Sequence, residues 1–164
     1  MKILYLLRHA KSSWKDLNLD DFDRPLNKRG KHDAPFMGKK FKEQGILPDL
    51  ILASPAKRAK KTAKTVAREM GYPESEIHFD KQLYATSATS LIRLLQGQDD
   101  EWESIMLVGH NPELTLMSNA LSNQYIDNLP TTGLSCIQLN VNSWGHIEPK
   151  KGEQVIFDFP KRYL

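Results

Sequence analysis

Short apolar runs alternate along this chain with segments of helical periodicity. The first run is Ile3–Leu7, the second Asp49–Ala53 and the third Ile105–Gly109. Near-continuous apolar runs of this kind fit strands buried on both faces. Leu134–Val141 and Val155–Phe159 predict two later strands, and Ile77–Phe79 a short one. Between them, Asn27 predicts the cap of a helix starting at Lys28, with Ala34, Met37, Gly38 and Phe41 inward and Gly45 at its end. Pro35 falls inside that segment and predicts a kink or a break. Ser54-Pro55 predicts the next start, serine as N-cap and proline at the first helical position. Ala59, Ala63, Val66, Ala67 and Met70 follow at helical spacing until Gly71. Thr86 to Leu95 reads as a shorter helix. Asn111-Pro112 opens another, with Leu114, Met117 and Leu121 on its core side. Strands alternating with helices predict an α/β chain: one domain over residues 1–164, a three-layer α/β/α sandwich around a mostly parallel central sheet.

Composition narrows this little. With 164 residues, 40% hydrophobic and 26% charged, the chain can bury a core without disulfides or structural metal. Its one cysteine, Cys136, lies in the apolar stretch Leu134 to Leu139 and reads as a core thiol; a lone cysteine leans towards a reducing compartment. The opening MKILYLLRHAKSS starts as a signal peptide would, but Arg8 ends the apolar run too early for one. No stretch approaches membrane-spanning length, so the expected location is the cytoplasm, with no membrane partner. The net charge is +3. From Lys57 to Arg68 the chain carries Lys57, Arg58, Lys60, Lys61, Lys64 and Arg68 with no acid among them. This suits an anionic substrate or partner; for most of these lysines a solvated helix face is the simpler reading.

The chemistry lies where the strands end. Arg8 and His9 follow the first strand, Ser54 and then Arg58 the second, His110 and Asn111 the third. In open α/β sheets ligands bind at the carboxyl ends of strands. Parallel strands would bring Arg8, His9, Arg58 and His110 to one edge, and Arg58, in the first helical turn, leans back towards it. Two arginines and two histidines in one pocket suit a phosphoryl group: guanidinium forks match its oxygens, and helix N-termini at Pro55 and Pro112 add N–H donors. Among these cations the pKa of His9 should fall, leaving a neutral nucleophile, while His110 is charged when a phosphate dianion is bound. Asp20, Asp21 and Asp23 crowd together without an oxygen-ligand loop pattern, so no metal or other cofactor is expected.

At these residues the chain resembles the histidine phosphatase superfamily, which includes the phosphoglycerate mutases. Leu6-Leu7-Arg8-His9-Ala10 is similar to its Arg-His-Gly signature, with alanine for glycine. Leu26-Asn27-Lys28-Arg29-Gly30 is similar to its Leu-Thr-x-x-Gly pattern, Ser54-Pro55-Ala56-Lys57-Arg58 to its Ser-x-x-x-Arg element, and Gly109-His110-Asn111-Pro112 to its second histidine element. The resemblance implies a phosphoglycerate mutase-like fold, His9 as nucleophile, Arg8, Arg58 and His110 as phosphate clamp, and Ser12 and Asn111 as substrate contacts. The short chain and the opening from Arg8 to Trp14 look most like the SixA-type phosphohistidine phosphatases. Arg24-Pro25-Leu26 fits that subgroup; Arg24 reaches an anionic substrate or pairs with Asp21 or Asp23.

Many members carry a glutamate general acid in a Leu-x-Glu context, but Gln82-Leu83-Tyr84-Ala85-Thr86 holds no carboxylate. A leaving alkoxide needs a positioned acid, whereas a phosphoramidate nitrogen can be protonated beforehand. This favours N-phosphorylated substrates such as phosphohistidine; the alternative is that Asp21 or Asp23 moves in as acid. The expected partner is a phosphorylated protein or a small-molecule phosphate. The runner-up activities are a phosphatase of small esters, such as sugar phosphates or nucleotides, and a non-catalytic phospho-binding module. No nucleic-acid motif accompanies the Lys57–Arg68 helix, and no interface pattern sets an oligomeric state. His32, His78 and His146 read as surface or structural residues, Trp102 and Trp144 as packing. Trp14 reads as pocket mouth or packing, and Tyr84 as core in preference to a substrate contact.

Overall fold

The apolar runs become strands of a single sheet. The computed structural model describes Met1–Leu164. Its strands are β1 (Lys2–Arg8), β2 (Leu50–Ala53), β3 (His78–Phe79), β4 (Ser104–Gly109), β5 (Leu134–Leu139) and β6 (Glu153–Asp158). They lie in the order β3-β2-β4-β1-β5-β6. The first four of that order run parallel, whereas β5 is antiparallel to both β1 and β6. The helices are α1 (Lys28–Glu43), α2 (Lys57–Met70), α3 (Ala88–Gln96) and α4 (Glu113–Leu121). None is long and apolar enough to cross a membrane.

Alternate strand residues face opposite sides of a sheet, and here both sides are apolar. Leu4, Leu6, Leu52, Ile105 and Leu107 pack against Leu91 and Leu95 of α3 and Leu114, Met117 and Leu121 of α4. Their neighbours Leu7, Ile51, Ala53, Met106 and Val108 pack against Met37 and Phe41 of α1 and Ala63, Val66 and Ala67 of α2. The result is the expected three-layer sandwich. Cys136 is buried in β5, and burial pushes its thiol up to about 12, which leaves it un-ionised and inert. Trp144 is fully buried and its indole N–H donates to the Trp102 carbonyl at 2.9 Å. His32, His78 and His146 are exposed.

Two local expectations need correction. The segment holding Pro35 is not broken: α1 runs without interruption from Lys28 to Glu43. An interior proline costs about 3 kcal/mol. Fully burying Met37 and Phe41, the two large side chains that follow it, offsets this at about 1.5–3 kcal/mol each. The second concerns Ser54-Pro55. Helix α2 begins at Lys57, with Ala56 in the N-cap position and no side-chain cap. Ser54 Oγ accepts from the Ala56 N–H at 3.2 Å in the turn before the helix. The other caps follow the sequence: Asn27 accepts from the Gly30 N–H at 2.8 Å, and Gly71 closes α2 in the left-handed region at φ 87°.

Candidate active site

Because β1, β2 and β4 are parallel and in register, their ends share one edge: Arg8 sits beside Gly109, and Ala53 beside Val108. Arg8, His9, Ser54 and His110 therefore emerge together, and α2 brings Arg58 back over them. These groups, Ser54 apart, line a cavity of about 360 Å³ with Lys11, Ser12, Trp14, Asp21, Arg24, Tyr84, Ala85, Asn111, Glu113 and Thr131.

His9 is only 7% exposed. Its Nδ1 lies 2.7 Å from the Ala10 carbonyl oxygen, which can only accept, so Nδ1 carries the proton. Its Nε2 accepts from Arg58 Nε–H at 3.4 Å. Both contacts specify a neutral ring with its lone pair on Nε2. Burial, above all, pushes the His9 pKa down to about 3; His110, Arg58 and Arg8 add to this against the Ala10 bond, which pulls the other way. The sequence pointed to the neighbouring cations, and desolvation proves the larger cause. His9 is held at the end of β1 by a residue the sequence did not single out. Thr62 of α2, fully buried, accepts from the Ala10 N–H at 2.9 Å and donates to the Arg58 carbonyl at 2.7 Å. One hydroxyl thus ties the His9 loop to the turn that carries Arg58.

Arg8 donates through Nη1 to Leu129 O at 3.0 Å, and its buried Nε has no partner. His110 Nε2 lies 2.8 Å from Ser54 Oγ, and its buried Nδ1 has no partner either. A buried, unpaired polar atom costs about 1–3 kcal/mol. Both residues line the cavity through their other atoms. Burial, then Arg58, Arg8 and Arg24, push His110 down to about 4 against the pull of Asp21. A bound dianion would work in the opposite direction.

Asp21 occupies the cationic side of the cavity. Arg58 donates from Nη1 to the Asp21 carbonyl at 2.6 Å and from Nη2 to its carboxylate at 2.9 Å. Arg24 donates from Nε at 3.2 Å, and the Tyr84 hydroxyl at 2.8 Å. Partial burial raises the Asp21 pKa, but the bonds from Tyr84, Arg58 and Arg24 together bring it down to about 2. In this arrangement Asp21 is ionised and holds no proton to give. Asp23 is exposed and does not line the cavity. Arg24 is buried; besides Asp21 it donates to Ser12 Oγ at 2.7 Å, and its guanidinium stacks 3.5 Å over the Trp14 ring at the pocket mouth. Of the two expectations for Arg24 the structure shows the pairing with Asp21, made by a side chain that also lines the cavity.

Asn111 lines the cavity, but its amide is engaged elsewhere. Its Nδ2 donates to Asn128 Oδ1 at 3.0 Å and Leu129 O at 2.9 Å, while its Oδ1 accepts from the Thr115 N–H and hydroxyl. This closes the loop before β5 onto α4 and leaves no side-chain donor free for substrate. Tyr84, read from the sequence as core, instead faces the site, edge-on to the His110 ring with centroids 5.5 Å apart. Glu113 was missed altogether. The available signal was its place three residues after His110 in the first turn of a helix, where side chains lean back towards the N-terminus. Within the segment Gln82–Thr86, which resembles the Leu-x-Glu context without its carboxylate, Ala85, at φ 50°, lines the cavity. Gly30 packs so closely on the Lys11 backbone that a Cβ there would collide with the Lys11 carbonyl oxygen, which fixes the His9 loop on α1. No three His, Cys, Asp or Glu side chains cluster closely enough to share a metal ion.

Residues 4–87 match the sequence model of the histidine phosphatase superfamily (branch 1). An uncharacterised chloroplast protein of Arabidopsis thaliana is 36% identical over 155 residues, covering 86% of this chain and 68% of the relative. A crystal structure from Agrobacterium tumefaciens, described as a candidate phosphohistidine phosphatase SixA, superposes with a TM-score of 0.83. It is 28% identical and the match covers 97% of this chain and 98% of that one. The protein histidine phosphatase SixA complexed with tungstate superposes at 0.84 over 99% of each chain; at 19% identity it speaks for the fold alone.

Proposed function

Because the chain belongs to the histidine phosphatase superfamily, we infer that it is a phosphatase and propose that it works through a phosphoryl group carried on His9. The observation that carries this reading is the neutral His9 ring, its Nε2 lone pair held beside Arg58 in a cavity shared with Arg8 and His110. In the first step the Nε2 lone pair bonds to phosphorus as the bond to the leaving nitrogen or oxygen breaks. The leaving atom keeps that electron pair and is protonated from solvent, before or as the bond breaks. Water then attacks the phosphohistidine, the P–Nε2 bond breaks with its electrons returning to the ring, and the proton lost by water goes to solvent. Arg8, Arg58 and protonated His110 hold the equatorial oxygens, where such transfers are helped most. Charge on the transferred group is met by Arg8, Arg58 and His110, with protons exchanged with solvent, so chelators should leave turnover unchanged.

The substrate class we favour is a phosphohistidine-bearing protein. Two things support it: the segment Gln82–Thr86 holds no carboxylate, and the similar Agrobacterium protein is described as a candidate phosphohistidine phosphatase. A phosphoramidate can leave without a positioned acid. Small phosphate esters are the second reading. It is favoured by two carboxylates in the lining, Asp21 and Glu113, of which Asp21 would have to leave its arginines to act. The test is hydrolysis of a phosphohistidine peptide beside an aryl phosphate and sugar phosphates, by wild type and His9→Ala, with trapping of an acid-labile phosphoenzyme. The expected result is peptide preference and a trapped label, both lost in the variant. Turnover by a cleanly folded His9→Ala protein would rule out the nucleophile.

A further inference from the structure

Outside the catalytic cavity the surface holds an unusual concentration of one charge. A groove of about 490 Å³ has Pro25 and Leu26 as its apolar part and Lys31, Lys57, Lys60, Lys61 and Lys64 around it. A wider concavity of about 980 Å³ continues from it, sharing Pro25, Leu26 and Lys31 and adding Lys15 and Lys28. Some basic residues pair with acids, Lys2 with Glu103, Lys40 with Glu43 and Arg68 with Glu74, and at the wider concavity Arg29 and His32 pair with the buried Asp33. None of the groove lysines forms a salt bridge, and no carboxylate lines either concavity. An ordinary solvated face intersperses the two signs; five unpaired lysines around one concave surface repel one another and raise the local concentration of anions.

The groove is placed by the same helical turn that builds the site. Arg58 lines the catalytic cavity, while Lys57 just before it and Lys61 three residues after it line the groove. From Lys57 to Lys64 the helix rises about 10 Å, at 1.5 Å per residue. That is the length of about three residues of extended polypeptide.

We propose that this lysine groove is a docking surface for an acidic stretch of the polypeptide that bears the phosphoryl group, lying within a few residues' reach of the phosphorylated side chain. The proposal rests on the phosphoprotein reading above. Lysines present point charges on flexible stems, which suits an irregular run of carboxylates. The groove around α2 has no aromatic residue on which a nucleobase could stack, which favours a polypeptide over a nucleic acid.

The experiment uses the whole chain and the exposed or half-exposed positions Lys31, Lys61 and Lys64. Wild type and Lys31→Glu/Lys61→Glu/Lys64→Glu are compared on two synthetic phosphohistidine peptides, one flanked by glutamates and one by glutamines, and on an aryl phosphate. Wild type should prefer the glutamate-flanked peptide at least tenfold in kcat/KM at low salt. The variant should lose that preference while its aryl phosphate turnover stays unchanged. Equal use of both peptides by wild type overturns the proposal, as does a parallel loss on the aryl phosphate. A second arm separates docking from the substrate reading: a labelled glutamate-rich peptide without phosphate is titrated against both proteins, beside an oligonucleotide of equal charge. Tighter peptide binding by wild type supports the surface even if neither phosphopeptide is hydrolysed, an outcome that would sink only the phosphoprotein reading. Equal binding by the variant, or preference for the oligonucleotide, overturns the surface itself.

Discussion

Replacing Asp21 with asparagine should make the protein bind phosphate mimics more tightly. The Asp21 carboxylate holds the Nη2 of Arg58 at 2.9 Å and the Nε of Arg24 at 3.2 Å, so an incoming oxyanion must compete with it. Its pKa, lowered from 3.8 to about 2, corresponds to roughly 2.5 kcal/mol at 1.36 kcal/mol per unit. The side chain is 50% exposed, and solvent screening together with the share held by Tyr84 reduces this to about 1 kcal/mol for the arginines. At 1.4 kcal/mol per tenfold, that is about a fivefold change in affinity. The assay is competitive inhibition by vanadate near neutral pH, where Asp21 is ionised, comparing wild type with Asp21→Asn after checking that both melt alike. The inhibition constant should fall about fivefold. An unchanged or weaker vanadate affinity would refute the idea that Asp21 stands in the phosphate's place. The same variant separates a second role: if the freed carboxylate serves as acid, kcat on esters with poor leaving groups falls while kcat on aryl phosphates with good ones does not.

Other expectations follow from the same geometry. His9 and His110 are held neutral, with pKa values near 3 and 4 against an unfolded value of 6.5. The unfolded chain therefore binds protons first, and the stability these groups contribute is full above pH 6.5 and lost as pH falls towards 4. The slope is about 1.4 kcal/mol per pH unit for each ring. Thermal melts from pH 7 to 4.5 should show it, and His110→Asn should remove about half; an identical slope in the variant contradicts the assignment. Thr62→Val leaves the Ala10 N–H unpaired and should cost about 1–3 kcal/mol in urea unfolding, with a larger proportional loss in kcat than in KM. Equal stability would mean that water replaces the hydroxyl. Ala85→Glu should place a carboxylate at the cavity wall and raise turnover of alkyl phosphates relative to the phosphohistidine peptide. A fall in both would show that the position cannot present an acid.

The parts of this molecule that were legible in the sequence are those set by local pattern. Ile3–Leu7 and Ile105–Gly109 announce strands because both faces of the sheet are covered, and Arg8, His9 and His110 follow their ends directly. Arg58 was within reach because a helix start fixes where its first turn points. What escaped was decided across the fold. Ser54 resembles an N-cap, yet its hydroxyl serves His110, 56 residues away. Nothing near Thr62 says that its oxygen meets the Ala10 N–H. Tyr84 looks like core until Asp21, 63 residues earlier, is seen to accept a hydrogen bond from its hydroxyl. Asn111 looks free for substrate until the loop at Asn128 closes on it. Alternating apolar runs also cannot report direction, so the reversal of β5 was not foreseen.

That reversal bears on how the protein comes to be active as it is made. Because β5 is antiparallel to β1, the loop leading into it reaches the catalytic edge, where Leu129 O accepts from Arg8 and the Thr132 N–H donates to the carbonyls of Arg8 and His9. The proposed nucleophile His9 and the proposed clamp of Arg8, Arg58 and His110 are all synthesised by residue 110, yet the backbone that anchors Arg8 and His9 arrives only with residues 129–132. Closing so long a span of chain is a slow, late event in folding. A nascent chain halted before that point would carry every side chain of the proposed site and still lack a formed pocket, so competence should switch on only after the last third has docked.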